Sequence, residues 1–254
     1  MKIITCFKLV AEEQDIIIAA DRSLNLEQAA IKISQFDLNG VEAAMQIATG
    51  DDQVIALSVG GKALDNSKTR KDILSRGPGS LYLVKDASLE HALPYETAQA
   101  LAAAANKIGF DLLLCGDGSG DLYSQQVGLL VGEMLQLPTL NAVSHIRVEG
   151  SKVFVERTLE DDVEVFELEL PAVLCVTSDI NTPKIPAMKA ILGAGKKPVI
   201  QWSTEDIGWS AQKIRAELIS VCAPQPSERK RIIIDDDSPD GIATLVEYLR
   251  KSLN

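Results

Sequence analysis

The chain alternates short, continuously apolar runs with segments of helical period, and that alternation restricts its fold more than any single motif. Lys2–Phe7 (KIITCF), Gln53–Val59 (QVIALSV), Leu81–Val84 (LYLV) and Asp111–Cys115 (DLLLC) read as strands, because a strand buried on both faces of a parallel sheet has no polar side to alternate with. Between them, Leu38–Ala48, Ala63–Ser75 and Tyr95–Ile108 have helical patterns, the last through Ala98, Leu101, Ala102, Ala105 and Ile108. A fourth helix is expected to begin near Ser124 and run through Leu129–Leu135, with Pro138 stopping it. Strands alternating with helices imply right-handed crossovers, so the expected fold is α/β with a doubly wound, mostly parallel sheet.

Two regions depart from the alternation. Asp15–Ser34 reads as a hairpin or loop inserted after the first strand, with turn composition at ADRSLN. After Pro138 the apolar period falls to two, with turns at Glu149–Ser151 and Glu160–Asp162, which predicts an antiparallel meander feeding a final strand, Ala172–Thr177. The stretch from Asp179 to Val199 holds three prolines, two glycines and four lysines and reads as extended and exposed. Beyond Asp206 little can form a core until a helix over Ile242–Leu253, for which Ser238 is the expected N-cap. The expected organisation is an α/β domain over residues 1–199, including the meander, and a C-terminal arm and helix over 200–254.

Composition narrows the partners. A net charge of −11 argues against nucleic acid, whose binding needs clustered Lys and Arg. The apolar runs are too short to span a bilayer, and the N-terminus lacks a cleavage region and turns acidic at once, so a cytoplasmic location is expected. The four cysteines have no CxxC spacing. Cys6, Cys115 and Cys175 sit in apolar runs, as small buried hydrophobes do. With only His91 and His145, a histidine-rich metal site is not expected.

The turn CGDGSGDLYSQQVG (Cys115–Gly128) is the stretch most suggestive of a ligand. It follows a strand and opens a helix, the place where doubly wound sheets bind ligands. Helix-end N–H groups at Gln126, Val127 and Gly128 and the positive end of the helix dipole favour an anion. Ser124 adds a hydroxyl, and Gln125 and Gln126 add amide donors. Gly128 and Gly132, four residues apart, let the helix approach the sheet. The turn completes neither GxxxxGK[ST] nor GxGxxG, it has no Lys or Arg, and Asp117 and Asp121 would repel phosphate unless they face a ribose or cap the backbone. From chemistry alone, nucleotide binding and a plain tight connection both remain open.

Several stretches together resemble one family, the beta subunits of electron-transfer flavoproteins. Gln35–Ile47 is similar to the family's Asn-Pro-Phe-Asp segment and the helix after it. DLYSQQVG (Asp121–Gly128) is similar to its Asp-x-x-Thr-x-Gln-x-Gly turn. Val155–Thr177 resembles the signature in which Val-x-Arg precedes a meander and a Leu-Pro-Ala-Val strand. Ile180–Val199 resembles the Asn-x-Pro-Arg/Lys segment and the lysine-bearing stretch that follows. The match runs from Lys2 to about Val199.

The resemblance implies a non-catalytic electron-carrier subunit that pairs with an alpha subunit holding most of the FAD. It implies AMP, or a second FAD in bifurcating members, bound in this chain, and an acyl-CoA dehydrogenase-like partner. By position the nucleotide contacts would be Cys6, Phe7, Ser34, Val59, Asp121, Ser124, Gln125, Gln126, Val127 and Gly128. The docking anchor would be Met188, with Ile191, Lys184 and Lys189 around it; by residue type alone, Met188 could equally pack under its own loop. Arg157 is a candidate for facing the alpha subunit or its flavin, or for a cross-strand ion pair. Ser34, Gln35, Leu122 and Tyr123 depart from the family pattern, and Tyr123 could stack on a ring or block a longer ligand. A different class, a stand-alone adenine-nucleotide-binding or adenylating enzyme, rests on the similarity of SGDLYS to a Ser-Gly-Gly-x-Asp-Ser pyrophosphate loop. A third is a ligand-sensing scaffold without a redox role.

Overall fold

The computed structural model describes residues 1–210, 216–226 and 231–253. The elements run β1 (Lys2–Cys6), β2 (Leu9–Ala11), β3 (Ile17–Ile18), β4 (Leu24–Asn25), β5 (Ile31–Ile33), α1 (Gln35–Ile47), β6 (Gln53–Gly60), α2 (Ser67–Ser75), β7 (Ser80–Lys85), α3 (Pro94–Ile108) and β8 (Leu112–Gly116). There follow α4 (Val127–Leu135), β9 (Thr139–Glu149), β10 (Lys152–Thr158), β11 (Val163–Glu169), β12 (Ala172–Val176), α5 (Met188–Ala194), β13 (Val199–Trp202) and α6 (Pro239–Leu253).

Nine strands form one sheet in the order β11-β10-β9-β12-β8-β1-β6-β7-β13. Every pairing from β9 to β13 is parallel, and only β9-β10 and β10-β11 are antiparallel. This is the doubly wound α/β sheet with an antiparallel meander that the alternation of periods requires. The chain moves from β1 through β6 to β7 on one side, then crosses back to β8 on the other. Strand order therefore reverses between β1 and β8.

The central strands are buried on both faces, which explains their unbroken apolar runs. Ile4, Cys6, Leu113, Cys115, Val173 and Cys175 pack on one face with α3 and α4. On the other, Ile3, Leu112, Leu114 and Leu174 meet Ala43 and Ala44 of α1, and Leu81 and Leu83 meet Ile73 and Leu74 of α2. Each such Leu or Ile taken out of water contributes about 1.5–3 kcal/mol.

Four boundaries differ from the sequence expectation. Residues 62–65 form a 3-10 turn rather than the start of α2. Asn66 accepts from the N–H groups of Lys68 and Thr69, so capping fixes the α-helix start one residue later. Helix α4 begins at Val127, not near Ser124, because Tyr123 and Gln125 hold left-handed φ angles of 45° and 54°. The proline-rich stretch is not extended throughout, since Met188–Ala194 forms α5. Finally, β13 extends the main sheet beside β7, and Ile207 and Trp209 are buried in the α3-side core, so the main body continues past residue 199.

By contacts the described residues within 1–17 and 25–221 form one unit, and those within 18–24 and 222–253 another. Within the smaller unit, Ser238 caps α6 as expected: its hydroxyl accepts from the Gly241 N–H at 3.3 Å. No helix among the described residues is long and apolar enough to cross a membrane.

Candidate functional site

A cleft of about 730 Å³, counting its open mouth, lies at the carboxyl ends of β1, β6 and β8. That is the point where strand order reverses, and adjacent crossovers leaving in opposite directions open a crevice there. Cys6 and Cys115 form part of its floor, Val59 and Leu101 contribute apolar wall, and the β8–α4 turn forms a polar wall.

Two carboxylates hold this geometry. Asp37, at the start of α1, is buried, and its carboxylate accepts from the backbone N–H of Lys8 at 2.7 Å and of Gly116 at 3.2 Å. One side chain thus ties the end of β1 to the end of β8 across the switch point. Burial raises its pKa to about 7, although both backbone bonds and the Lys8 charge oppose the rise. Gly116 has to be glycine here, because a Cβ would stand 2.7 Å from Asp37 Oδ1 and 2.8 Å from Phe36 Cβ.

Asp117 holds the far wall. Its carboxylate accepts from the Gln125 side-chain amide at 2.5 Å and from the Ala142 N–H at 3.2 Å. Ala142 can offer that N–H because it has a φ of 55° where β9 slips register against β12; such a bulge turns a group out of the ladder. Asp117 is therefore occupied in fixing the loop. Tyr123 is held by a tilted ring contact with Phe36, centroids 5.1 Å apart, and its ring covers Gly118 so closely that no Cβ could fit there.

Helix α4 begins against the cleft with no side chain capping it. Its first intrahelical bond runs from the Leu130 N–H to the Gln126 carbonyl at 2.9 Å, so the N–H groups of the first turn precede the ladder and are suited to an anion.

Of the residues expected from sequence, Cys6, Phe7, Val59, Ser124, Gln125, Gln126 and Val127 line the cleft. Three stand behind it. Ser34 is fully buried and its hydroxyl accepts from the Gly120 N–H at 3.3 Å, steadying the loop. Asp121 pairs with Lys8 at 2.5 Å and accepts from Ser119 at 2.5 Å. Burial acts to raise its pKa, but the bonds from Lys8 and Ser119 outweigh that and leave it lowered. Gly128 faces the sheet: a Cβ there would collide with Cys175 Sγ and lie 3.3 Å from Cys115 Cβ. Its missing side chain seats the helix, as does that of Gly132 over Thr139.

The three cysteines of the apolar runs are buried. The Cys6 contact, followed by burial, raises the Cys115 thiol, and burial raises that of Cys175, which disfavours the nucleophilic thiolate at both. Asp117, singled out in the turn as a residue that could cap the backbone, does so at Ala142. Lys8, Asp37 and the α3 residues Pro94 and Thr97 also belong to the site, and motif reading missed them. The available signal was position, since Lys8 lies two residues past the end of the strand at the switch point.

The segment after β12 forms a separate feature. Met188, Ile191, Leu192 and Ile185 are exposed, so Met188 is not packed under its own loop. Lys184 pairs with Glu42 at 2.9 Å, and Lys189 is exposed. Lys197 is not a solvated cation, because it donates to the carbonyls of Leu74, Gly77 and Pro78 at 2.7, 3.0 and 2.7 Å. On the meander, Arg157 makes the cross-strand pair with Glu164 at 3.5 Å and donates to Asn141 at 2.9 Å, leaving a buried Nε without a hydrogen-bond partner.

Sheet and cleft define a doubly wound α/β protein with a crevice at its switch point. Residues 24–207 match the family model of the electron transfer flavoprotein domain. That range is well over half of the 254 residues, and the chain belongs to the electron transfer flavoprotein family, whose members are electron carriers rather than enzymes.

Proposed function

We propose that this chain is the beta subunit of a heterodimeric electron-transfer flavoprotein. It binds AMP, or a second FAD in a bifurcating assembly, in the switch-point cleft, and it helps an alpha subunit hold the electron-carrying FAD. The observation that carries the reading is the coincidence, in one crevice, of an apolar floor with the uncapped start of α4. A planar base suits the floor and wall at Cys6, Phe7 and Val59. A phosphate suits the first-turn N–H groups, Ser124 and Gln126.

The chain's own groups bind and orient. Asp37 and Asp117 fix the two walls, and no side chain is needed as acid, base or nucleophile. When bound, a flavin supplies the electron-carrying chemistry. The exposed apolar residues around Met188 support docking of an acyl-CoA dehydrogenase-like partner, because a cluster of exposed apolar side chains is characteristic of an interaction surface.

The test is co-expression with the alpha partner, denaturation of the purified complex and chromatography of the released nucleotides. One FAD and one AMP per heterodimer supports a simple shuttle, and two FAD without AMP a bifurcating assembly. Failure to form a complex, with ATP turnover by the chain alone, would replace this reading with that of an adenylating enzyme.

A further inference from the structure

The β8–α4 turn carries no cation of its own and holds two aspartates, a poor setting for a phosphate. The fold supplies the missing charge from elsewhere. Lys8, 113 residues from Asp121, reaches the turn and pairs with its carboxylate at 2.5 Å. It lines the same cleft as Ser124, Gln126 and Val127, and among the described residues it is the only Lys or Arg that does so.

The backbone of Lys8 is fixed on both sides. Its N–H donates to Asp37 at 2.7 Å, and its carbonyl accepts from the Ser34 N–H at 2.9 Å. Its side chain, by contrast, is nearly half exposed, at 45 %. An ammonium has three donors, so a bond to Asp121 leaves others for a second acceptor. Asp121 is itself held by Ser119 at 2.5 Å, which keeps the paired ammonium at the rim.

We infer that Lys8 is the charge partner for the ligand's phosphate, and that Asp121 is a positioning residue that presents Lys8 to it. Lys8 thereby sets the preference of the cleft for a nucleotide over a nucleoside. This rests on the adenine-nucleotide reading of the cleft. It adds a residue from β1's end to a site most of whose other polar side chains lie on the β8–α4 turn, and it explains how an aspartate-bearing turn accepts an anion: Asp121 is already paired with a cation.

The test is calorimetric titration of the full chain with AMP and, separately, with adenosine, for the wild type, Lys8→Gln and Lys8→Arg. The backbone bonds of Lys8 do not depend on its side chain, so both variants should fold, which circular dichroism checks. Removing a charge-assisted bond should weaken AMP binding about tenfold or more while leaving adenosine within about twofold. Lys8→Arg should keep most of the preference for AMP. An unchanged AMP-to-adenosine ratio in Lys8→Gln would overturn the assignment, as would an equal loss of both ligands, which would mark a merely structural lysine. If the wild type binds neither ligand, the nucleotide reading itself fails and this inference falls with it.

Discussion

The switch-point cleft and the segment around α5 are both candidate binding surfaces, but they are built in opposite ways. In the cleft, polar groups from distant parts of the chain are matched to one another. Asp37 bonds Lys8 and Gly116, Asp117 bonds Gln125 and Ala142, and Ser34 bonds Gly120. Around α5, the bonds are on the underside and the apolar side chains point outward, with Ile185 93 %, Met188 70 % and Leu192 73 % exposed. Helix α1 serves both: Asp37 faces the cleft, while Asn39 donates to the Ser178 and Asn181 carbonyls at 3.1 and 2.8 Å and Glu42 pairs with Lys184. A small ligand needs a preorganised pocket, whereas a protein partner can be met by an exposed anchor whose support is rigid.

Substitutions can break this contrast, and the largest effect is expected at Gly128. Gly128→Arg should yield no folded protein, since any side chain enters the space of Cys175 Sγ. Gly128→Ala should lower stability by about 1–3 kcal/mol through overpacking, and adding Cys175→Ala should recover part of that in a double-mutant cycle read by urea denaturation. An uncoupled pair would mean that the glycine acts on the cleft rather than on the seat of the helix.

Lys197→Met tests the support of the other surface. It leaves three carbonyls without their donor, and a loss of about 1–3 kcal/mol is expected. Amide exchange should speed up mainly within Met188–Ala194. A uniform increase across the sheet would show that Lys197 supports the whole fold rather than the α5 segment.

Asp37 gives a pH signature. Its folded pKa, raised to about 7, lies above the ordinary carboxyl value of about 4. Between those values the folded state therefore binds more protons than the unfolded state. This group's contribution then favours folding more as pH falls through that window and less as pH rises through 7. Asp37→Asn should remove that component, so that the difference in Tm between wild type and variant changes between pH 5 and pH 8. A constant difference would mean that Asp37 does not titrate there.

The smallest structural effect belongs to Met188→Ala. With 70 % of the side chain already exposed, stability should change by less than about 0.5 kcal/mol, and nucleotide content should not change. Reduction by the proposed dehydrogenase-like partner should slow by about tenfold if the side chain is an interface anchor. An unaltered rate would remove Met188 from the docking surface.

The contrast also explains which features could be read before the fold was known. The segment around α5 is one contiguous stretch, so its proline, lysine and methionine content was visible directly, although its short helix was not. The β8–α4 turn is also contiguous, and four of its expected residues, Ser124 to Val127, line the cleft. Lys8 and Asp37 were missed because their relation to the turn exists only through contacts between segments 79 and 113 residues apart in sequence. The late start of α4 was missed for a similar reason. Left-handed Tyr123 and Gln125 are held by Phe36 and Asp117, which local propensity does not register.

By itself the sequence determined the class of fold. Apolar runs without polar alternation must be buried on both faces, helices of 3.6 period must cover them, and the change to period two after Pro138 must produce a meander. Tertiary structure decided which side chains converge and what each is free to do. Parallel pairing of β1 with β8 brings Lys8 to Asp121, pairing of β8 with β12 sets Cys175 under Gly128, and Asp117 is bonded to Gln125 of the turn and Ala142 of β9. These outcomes depend on hydrogen bonds and close packing between distant segments, for which a linear pattern of residue types carries no distance.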